Sequence, residues 1–447
     1  MKIEQFQDEY LAHYSYAILS ECEQQVVLID PSRDPQPYYD FAKLHGAGII
    51  GVIETHPHAD FVSSHMEIHK TTGAKIYSHS LTGVDYPQTI FDEGAELSFG
   101  KIKLKSLHTP GHSPDSISIV LEHKGKDVAV FTGDTLFIGD CGRPDLRENA
   151  GNTHAKRDEL ARQMYHSLRD KLMVLSDDVL VYPAHGSGSL CGKALSSAGS
   201  GTIGNEKIGN WSLQKMTEDE FVKELTANQP FIPEYFGFDV NLNRKGAESF
   251  GEQLAKVKIL DQVNPKELDA NLVVIDARGA QVFKKGHLPN AFNLMQGKKF
   301  ETWLGSIIKP GEHFYLTAPD MGTLNNLIRR TASIGYESFI EAAFISVLGE
   351  ETMAEMPLAE FKRNPALFTI VDVRNEDEVN ANPIFKDAIH IPLASLRAHI
   401  DQVPVDKPIV VHCAGGYRSA AGSSILASAV GRKALVYDLG EAINDFN

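Results

Sequence analysis

Six histidines and aspartates in the first half of the chain have the types and spacing of metal ligands. They are His56, His58, Asp60, His112, Asp134 and His185. His56 and His58 are two residues apart, so on an extended segment their side chains face the same way. Each of the later residues follows a β-like run. Imidazole and carboxylate groups at successive strand ends are ligands that suit a divalent metal ion, so the ordered set predicts a metal site.

A second reactive motif is HCAGGYRS, residues 412–419, which follows the apolar run PIVV and precedes a helix-like segment. A loop of this kind directs its backbone N–H groups at the cysteine sulfur, where they stabilise a thiolate and a bound anion. Gly415 and Gly416 permit the tight curvature of the loop, and Arg418 adds positive charge. The motif predicts that Cys413 is a nucleophile, and a phosphatase-type loop remains the second interpretation.

The sequence around the metal-ligand candidates predicts short strands joined by helices. Strand-like runs cover residues 49–56, 101–112, 116–123 and 127–137, and each has β-branched residues and a polar or glycine boundary. Residues 34–46 and 60–73 have helical character. The metal-ligand candidates fall at the strand ends and in the following loops, where a rigid sheet can direct them into one pocket.

The second half of the chain contains an internal repeat. Residues 272–294 resemble residues 368–393, and both read as a buried strand, then Asp-x-Arg, then a helical patch and a short strand. Alternating strands and helices predict a parallel α/β sheet in each copy. Thr317 stands near the place of Cys413 in the first copy, and no cysteine occurs between residues 191 and 413. We therefore expect the first copy to be inactive.

These segments predict an α/β multidomain protein. The expected boundaries are residues 1–245 for the metal-binding domain, 258–350 for the inactive copy and 355–447 for the active copy. A chain of 447 residues is long enough for several domains.

Composition narrows the range of partners. The net charge of −16 disfavours binding to nucleic acid or to an anionic membrane. Apolar stretches fall short of the ~18 residues that span a bilayer, and the first ten residues are too polar for a secretory signal. The cysteines (Cys22, Cys141, Cys191 and Cys413) are widely scattered. That distribution favours free thiols in a reducing cytoplasm.

The ordered motifs THxHxD, HTPGHS, TGD and PAHG resemble the metallo-β-lactamase superfamily, which implies an αββα sandwich. The match is closest to the persulfide dioxygenases, and it departs from the superfamily pattern at Phe61, where a final histidine is usual. The resemblance implies one Fe(II) per chain, held by His56, His112 and Asp134. His58, Asp60 and His185 would then orient ligands or substrate. Their interpretation as zinc ligands stays open.

Two further residues near the expected pocket have two interpretations each. Arg143 lies in CGRPDL, which resembles a family segment beside the pocket, and it either binds an anionic part of the substrate or stabilises its turn. Cys191 follows His185 by six residues in a Gly/Ser-rich segment. It either carries sulfur transiently or is a bystander thiol.

The cysteine loop resembles that of the rhodanese sulfurtransferases. The resemblance implies that Cys413 becomes a persulfide, with Arg418 assisting it and with Gly415, Gly416 and Tyr417 bordering the substrate. The whole arrangement resembles the persulfide dioxygenase–rhodanese fusions of bacterial sulfide detoxification. Such a protein would use O₂ to oxidise a low-molecular-weight persulfide to sulfite, and it would combine sulfite with sulfur on Cys413 to give thiosulfate. A homodimer or homotetramer is the expected assembly.

Other functions remain open from the sequence. A dinuclear zinc thioester hydrolase of the glyoxalase II kind, fused to a rhodanese, would use the same histidines with a second metal. A persulfide carrier would pass sulfur from Cys413 to a partner, and a sensor would bind without turnover. The thiol carrier is equally open among glutathione, coenzyme A, bacillithiol and cysteine.

Overall fold

The computed structural model describes residues 1–146, 156–193 and 195–446. Its contacts divide the chain into two units. The first unit comprises Met1–Glu252 and Ala332–Gly335, and the second comprises Gln253–Thr331 and Tyr336–Asn447. Among the described residues, no helix has both the length and the apolar character needed to cross a membrane.

The described strands of the first unit form two six-stranded sheets. The first sheet contains, in spatial order, β1 (Lys2–Asp8), β2 (His13–Ser20), β3 (Gln25–Ile29), β4 (Gly48–Ile53), β5 (Lys75–Ser78) and β6 (Thr89–Ile90). The second contains β7 (Glu96–Phe99), β8 (Ile102–His108), β9 (Ile117–His123), β10 (Lys126–Gly133), β11 (Leu180–Pro183) and β12 (Gly201–Thr202), also in spatial order. Both sheets combine parallel and antiparallel pairs.

Helices cover the outer face of each sheet. They are α1 (Gln36–Leu44) and α2 (His65–Thr72) on the first sheet, and α3 (Arg157–His166), α4 (Ile203–Gly209) and α5 (Glu218–Thr226) on the second. Side chains alternate along the strands, so Tyr16 and Ile18 of β2 pack between the sheets while Ala17 and Leu19 face the helices. The layers are therefore helix, sheet, sheet, helix, as expected. The chain continues through α6 (Tyr235–Lys245) and α7 (Phe250–Lys256).

The helix expected over residues 60–73 is shorter than predicted, because α2 begins only at His65. The preceding residues form a buried irregular loop whose backbone groups bond to Asn243 of α6. Asn243 Nδ2 donates to the carbonyl oxygens of His58 and Phe61, and Ser63 N donates to Asn243 Oδ1. Because this tertiary partner replaces the intrahelical bonds, the loop stays open where helical propensity would have continued α2.

The second unit begins with a module that we call the middle module. Its elements are β13 (Ile259–Leu260), β14 (Val273–Asp276), α8 (Ala280–Lys285), β15 (Ala291–Asn293), α9 (Phe300–Ile307), β16 (Phe314–Ala318), α10 (Met321–Ser333) and β17 (Ile340–Ile345). The strands form a parallel sheet in the order β13-β17-β16-β14-β15.

A second parallel sheet forms what we call the last module. Its elements are α11 (Leu358–Arg363), β18 (Thr369–Asp372), α12 (Glu376–Ala381), β19 (Ile389–His390), β20 (Ile409–His412), α13 (Tyr417–Val430) and β21 (Val436–Asp438). The strand order β19-β18-β20-β21 reproduces the order β15-β14-β16-β17 of the middle module. The two copies of the sequence repeat therefore share one topology.

The Asp-x-Arg motif forms the same buried ion pair in both modules. The Nη2 atom of Arg278 lies 2.5 Å from Asp276 Oδ2, and that of Arg374 lies 2.6 Å from Asp372 Oδ2. In each copy the arginine also donates from its backbone N–H to the aspartate at 3.0 Å. The ion pair closes the turn that follows β14 in the middle module and β18 in the last module, so the motif is structural in both copies.

Strand register corrects the alignment of the nucleophile position by one residue. Asp276 pairs with Thr317, and the equivalent Asp372 pairs with His412. Thr317 therefore corresponds to His412, and Ala318 occupies the position of Cys413. A methyl side chain cannot act as a nucleophile, so the middle module lacks the group that the last module has.

Removing the buried carboxylate should destabilise the middle module. We expect Asp276→Asn to cost about 3–5 kcal/mol of local stability, because it leaves Arg278 buried without its counter-charge. Faster amide hydrogen exchange in β14 and β16 would register this loss. Asp261→Asn, at an exposed position of the same module, is the control and should exchange like the parent. Equal protection in both variants would contradict the prediction.

Candidate functional site

The ends of four strands position the predicted metal ligands. β4 runs into the loop that carries His56, β8 is followed by the turn with His112, Asp134 comes directly after β10, and His185 follows β11. All four side chains are buried. Gly133, at the end of β10, has φ +51° and lies so close to Thr55 that a Cβ would approach its Oγ1 to 2.6 Å. The close approach brings Asp134 beside the histidine loop.

Three of these residues converge on one point. His112 Nε2 lies 3.4 Å and His56 Nε2 lies 3.8 Å from Asp134 Oδ2. One ligand atom from each of the three residues lies within 4.8 Å of the others. The structure thus brings together the two imidazoles and the carboxylate that the sequence predicts as a triad.

The remaining polar atoms of the triad bond away from this point. His112 Nδ1 lies 2.9 Å from the carbonyl oxygen of Arg143, and His56 Nδ1 lies 3.0 Å from Thr55 Oγ1. The Thr55 hydroxyl in turn donates to Asp30 at 2.8 Å. This network assigns the ring proton of each histidine to Nδ1, so both Nε2 lone pairs face Asp134.

The residues fit a divalent cation. Asp134 Oδ2 is buried and has no hydrogen-bond donor among the described residues, although two Nε2 lone pairs face it. Lone pairs and a carboxylate oxygen repel one another unless a cation lies between them. Two imidazoles and one carboxylate are a ligand set of non-haem Fe(II), and they leave further coordination positions open.

His185 is held by two carboxylates. Its Nδ1 hydrogen-bonds Asp134 Oδ1 at 2.7 Å, and its Nε2 forms an ion pair with Asp60 Oδ2 at 2.8 Å. Burial by itself lowers the pKa of His185, but the charges of Asp134 and Asp60 outweigh burial and leave the pKa well above its usual value. Burial likewise favours neutral Asp134, yet His185 and His112 hold the pKa of Asp134 well below its usual range.

His58 is turned toward a second group of carboxylates. Its Nε2 lies 3.1 Å from Asp30 Oδ1 and 3.7 Å from Glu54 Oε2. Burial lowers the pKa of His58, but these carboxylates outweigh it and leave the pKa raised. Burial also raises the pKa of Glu54 to about 8. His58 therefore shares a cluster of ligand atoms with Asp30 and Glu54, although its ring lies beside that of His56, with the centroids 4.3 Å apart.

Phe61 fills the space where the superfamily pattern has its last histidine. Its ring packs between His13 and His58 in tilted contacts, with centroid distances of 3.8 Å and 4.3 Å. His13, Asp30 and Glu54 are functional-site residues that the sequence analysis missed. His13 and Asp30 are separated from the motif in the chain, and Glu54 carries no pattern of its own. Of these three residues, only Asp30 could have been found from the sequence, because it ends the strand-like run VVLID.

Arg143 is occupied within its own turn. Its guanidinium forms two hydrogen bonds of 2.7 Å with Asp145 and a third, of 3.2 Å, with the carbonyl oxygen of Leu190. The side chain is buried. This geometry favours the turn-stabilising interpretation over substrate binding, and the backbone carbonyl of Arg143 orients His112.

Cys191 lies beside Asp60 and His185. One ligand atom from each of the three residues lies within 4.8 Å of the others. Burial raises the pKa of the Cys191 thiol well above its usual value, and the charges of Asp60 and Asp134 add to this effect. Cys191 is thus close to the metal triad, as a sulfur carrier would need, but its surroundings favour the neutral thiol.

The second predicted site lies between β20 and α13. Cys413 follows β20, its side chain is buried, and its Sγ accepts a hydrogen bond from Gly416 N at 3.1 Å. Gly416 has φ +97° and caps α13, whose N-terminus therefore faces the sulfur. Arg418 forms a two-point ion pair with Glu378 of α12. Glu378 had no motif and was not predicted.

Family models match both halves of the chain. Residues 11–185 match the metallo-β-lactamase superfamily, and residues 357–446 match the rhodanese-like domain. The chain therefore combines a metallo-β-lactamase domain with a rhodanese-like domain, as its fold and its two sites also indicate.

Two relatives with different names match similar lengths of this chain. The chain is 29% identical to the mitochondrial persulfide dioxygenase ETHE1 of Homo sapiens over 38% of this chain and 63% of that protein. It is 35% identical to a cytoplasmic hydroxyacylglutathione hydrolase of Arabidopsis thaliana over 39% of this chain and 63% of that protein. Each match thus spans less than two thirds of the relative's own length.

A solved structure extends the likeness to both units. The crystal structure of a metallo-β-lactamase from Staphylococcus aureus has a TM-score of 0.69 and 29% sequence identity, and the match covers 77% of this chain and 99% of that chain. The family models and this neighbour together support a metallo-β-lactamase domain followed by a rhodanese-like domain.

Phe61 should control how many metal ions the first unit binds. We expect Phe61→His, dialysed against zinc, to bind two zinc ions per chain where the parent binds one. The new imidazole would join Asp60 and His185, which are already adjacent. Metal analysis by mass spectrometry measures the ratio, and Phe61→Leu is the control that keeps an apolar side chain. A ratio of one in Phe61→His would show that Phe61 does not set the metal count.

Proposed function

We propose that the protein is a persulfide dioxygenase joined to a thiosulfate-forming sulfurtransferase. The observation that carries the proposal is the convergence of His56 Nε2, His112 Nε2 and Asp134 Oδ2 on one point, while carboxylates hold His58 and His185. One Fe(II) per chain fits this ligand set. The free thiols of the chain fit a reducing cytoplasm.

The proposed reactions balance without a further oxidant or reductant. In the first unit, RSSH + O₂ + H₂O gives RSH + SO₃²⁻ + 2H⁺. In the last module, the Cys413 thiolate attacks the outer sulfur of a second RSSH and releases RSH, which leaves Cys413–S–S⁻. Sulfite then attacks the outer sulfur of that persulfide, which forms S₂O₃²⁻ and restores the thiolate.

The first unit would bind and orient the persulfide with its own residues. Bound to the triad, Fe(II) would supply O₂ chemistry and open coordination positions. Thr55 and the carbonyl oxygen of Arg143 fix the orientations of the two imidazoles. His185 holds a proton between Asp134 and Asp60, and the apolar ring of Phe61 keeps water from that side of the site.

The last module would stabilise an anionic sulfur. Gly416 N already donates to Cys413 Sγ, and the N-terminus of α13 adds the positive end of a helix dipole. Arg418, held by Glu378, adds a fixed positive charge beside the loop. Gly415, Gly416 and Tyr417 form the loop that surrounds this sulfur.

The substrate class is a low-molecular-weight persulfide. Glutathione, coenzyme A, bacillithiol and cysteine persulfides all carry the reacting S–S–H group, and assays with each would identify the carrier. Because the guanidinium of Arg143 is paired with Asp145, it is not proposed to bind an anionic part of the carrier. Assembly as a dimer or tetramer stays a prediction.

A second candidate function is a dinuclear metal-dependent thioester hydrolase. The cluster of Asp60, His185 and Cys191 favours it, because these residues offer ligand atoms for a second ion. The likeness to a hydroxyacylglutathione hydrolase points the same way. Such an enzyme would bind two metal ions and would take up no O₂.

Separating the two half-reactions tests the proposal. After anaerobic loading with Fe(II), the parent given RSSH and air should consume O₂ and form thiosulfate. We expect Cys413→Ser to consume O₂ like the parent, to accumulate sulfite, and to lose thiosulfate formation by roughly tenfold or more because the nucleophile is gone. Ion chromatography measures both products.

Matched variants complete the design. Cys22→Ser, at an exposed cysteine, should behave like the parent. His112→Gln should lose both iron and O₂ uptake, whereas His108→Gln, at the start of the same turn, should keep both. Thiosulfate formation by Cys413→Ser at the parent's rate would refute the sulfur transfer, and two zinc ions with thioester hydrolysis would favour the hydrolase.

A further inference from the structure

The nucleophile loop of the last module is attached to the middle module. Tyr417, the fifth residue of the loop counted from Cys413, turns its side chain across the junction and donates from Oη to the carbonyl oxygen of Met295 at 2.7 Å. Its ring packs on Gly297, where a Cβ would approach Tyr417 Cε2 to 3.1 Å. One side chain of the loop is therefore fixed by a neighbour that has no nucleophile of its own.

A buried carboxylate lies behind the loop. Asp438 ends β21, and its Oδ1 accepts hydrogen bonds from Ser419 Oγ at 2.6 Å and from Gly440 N at 2.9 Å. Ser419 Oγ is also 3.1 Å from the carbonyl oxygen of Gly416, the residue whose N–H bonds to Cys413 Sγ. Asp438 thus lies behind the loop, and Ser419, which donates to it, also lies beside Gly416, whose N–H bonds to the nucleophile.

The cation beside Asp438 comes from the middle module. Lys284 of α8 places its Nζ 2.7 Å from Asp438 Oδ2, and the two side chains are only 18% and 1% exposed. A cavity of about 660 Å³ runs along this junction, and Lys284, Met295, Gly415, Gly416 and Glu441 are among the residues that line it. Lys284 therefore borders the same space as the loop.

Lys284 is the cation that contacts Asp438 behind the loop. Two other carboxylates near the loop are paired within the last module, Glu378 with Arg418 and Asp372 with Arg374. Glu355 and Glu441 also border the cavity, but both are exposed, so solvent screens their charges. His412 adds no positive charge, because burial lowers its pKa to about 4. Without Lys284, Asp438 would be a buried anion close to a sulfur that must itself become anionic, and the two charges would repel.

We propose that Lys284 is a positioning residue of the Cys413 site: it neutralises Asp438 behind the loop and so permits an anionic sulfur at Cys413. The middle module is then the electrostatic partner of the last module. The inference extends the proposed sulfur transfer, but its primary test measures the reactivity of the thiol and needs no sulfur substrate.

Alkylation of Cys413 by iodoacetamide tests the inference. The full chain in a Cys22→Ser background is labelled over a range of pH, and the Cys413 peptide is quantified by mass spectrometry. We expect Lys284→Met to slow labelling at pH 7 by about threefold to tenfold, because a buried charge of the wrong sign disfavours the thiolate. Lys284→Arg should label like the parent, and so should Lys285→Met at the exposed neighbouring position.

A double variant separates charge from structure. If Lys284 acts by neutralising Asp438, then Lys284→Met combined with Asp438→Asn should label within about twofold of Asp438→Asn alone. If the double variant stays as slow as Lys284→Met, the lysine acts only as packing and the proposal is wrong. Lys284→Gln provides the same comparison should the methionine variant fail to fold.

The thiosulfate assay keeps this inference distinct from the proposed function. Parent protein that makes no thiosulfate, but shows the expected labelling pattern, would refute the sulfur transfer and leave the role of Lys284 intact. Lys284→Met that labels at the parent's rate would overturn the role of Lys284, whatever the parent's products.

Discussion

The candidate metal site of the first unit depends on Asp134, whose two carboxylate oxygens have different partners. Oδ1 accepts the hydrogen bond from His185, and Oδ2 faces His56 and His112. Because the hydrogen bond from His185 goes to Oδ1, Oδ2 is left without a donor among the described residues and faces the two Nε2 atoms. This arrangement requires His185 to stay beside Asp134. The backbone of the preceding residue is fixed, because Tyr14 N donates a hydrogen bond of 2.7 Å to the carbonyl oxygen of Ala184.

Close backbone approach completes this arrangement. Gly142 lies so near Asp134 that a Cβ at position 142 would collide with the Asp134 carbonyl oxygen at 1.9 Å. The absence of that atom lets the Cys141–Arg143 turn pack on the end of β10, and there the carbonyl of Arg143 meets His112 Nδ1. Two parts of the chain that share no motif therefore set the orientation of one ligand.

Sequence reasoning succeeded where local pattern and chemistry coincide. The choice of His56, His112 and Asp134 as the triad followed from the family resemblance. The residues themselves showed that ligand-type side chains follow several strand-like runs, so a shared pocket could be expected. The late start of α2 could not be predicted, because it depends on Asn243, which lies far along the chain. The pairing of Arg143 with Asp145 was within reach, since the two are only two residues apart.

The internal repeat shows which features the two modules share although only one of them has a cysteine at the loop position. The middle module keeps the strand order and the buried Asp–Arg pair, because either change would leave a buried charge or an unpaired strand. Its position equivalent to Cys413 is free of that constraint and carries Ala318. What the module retains is its contact with α13, where Ser424 Oγ accepts a hydrogen bond from Asn293 N at 2.8 Å. The middle module therefore contacts the helix that follows Cys413, although it carries no thiol of its own at the equivalent position.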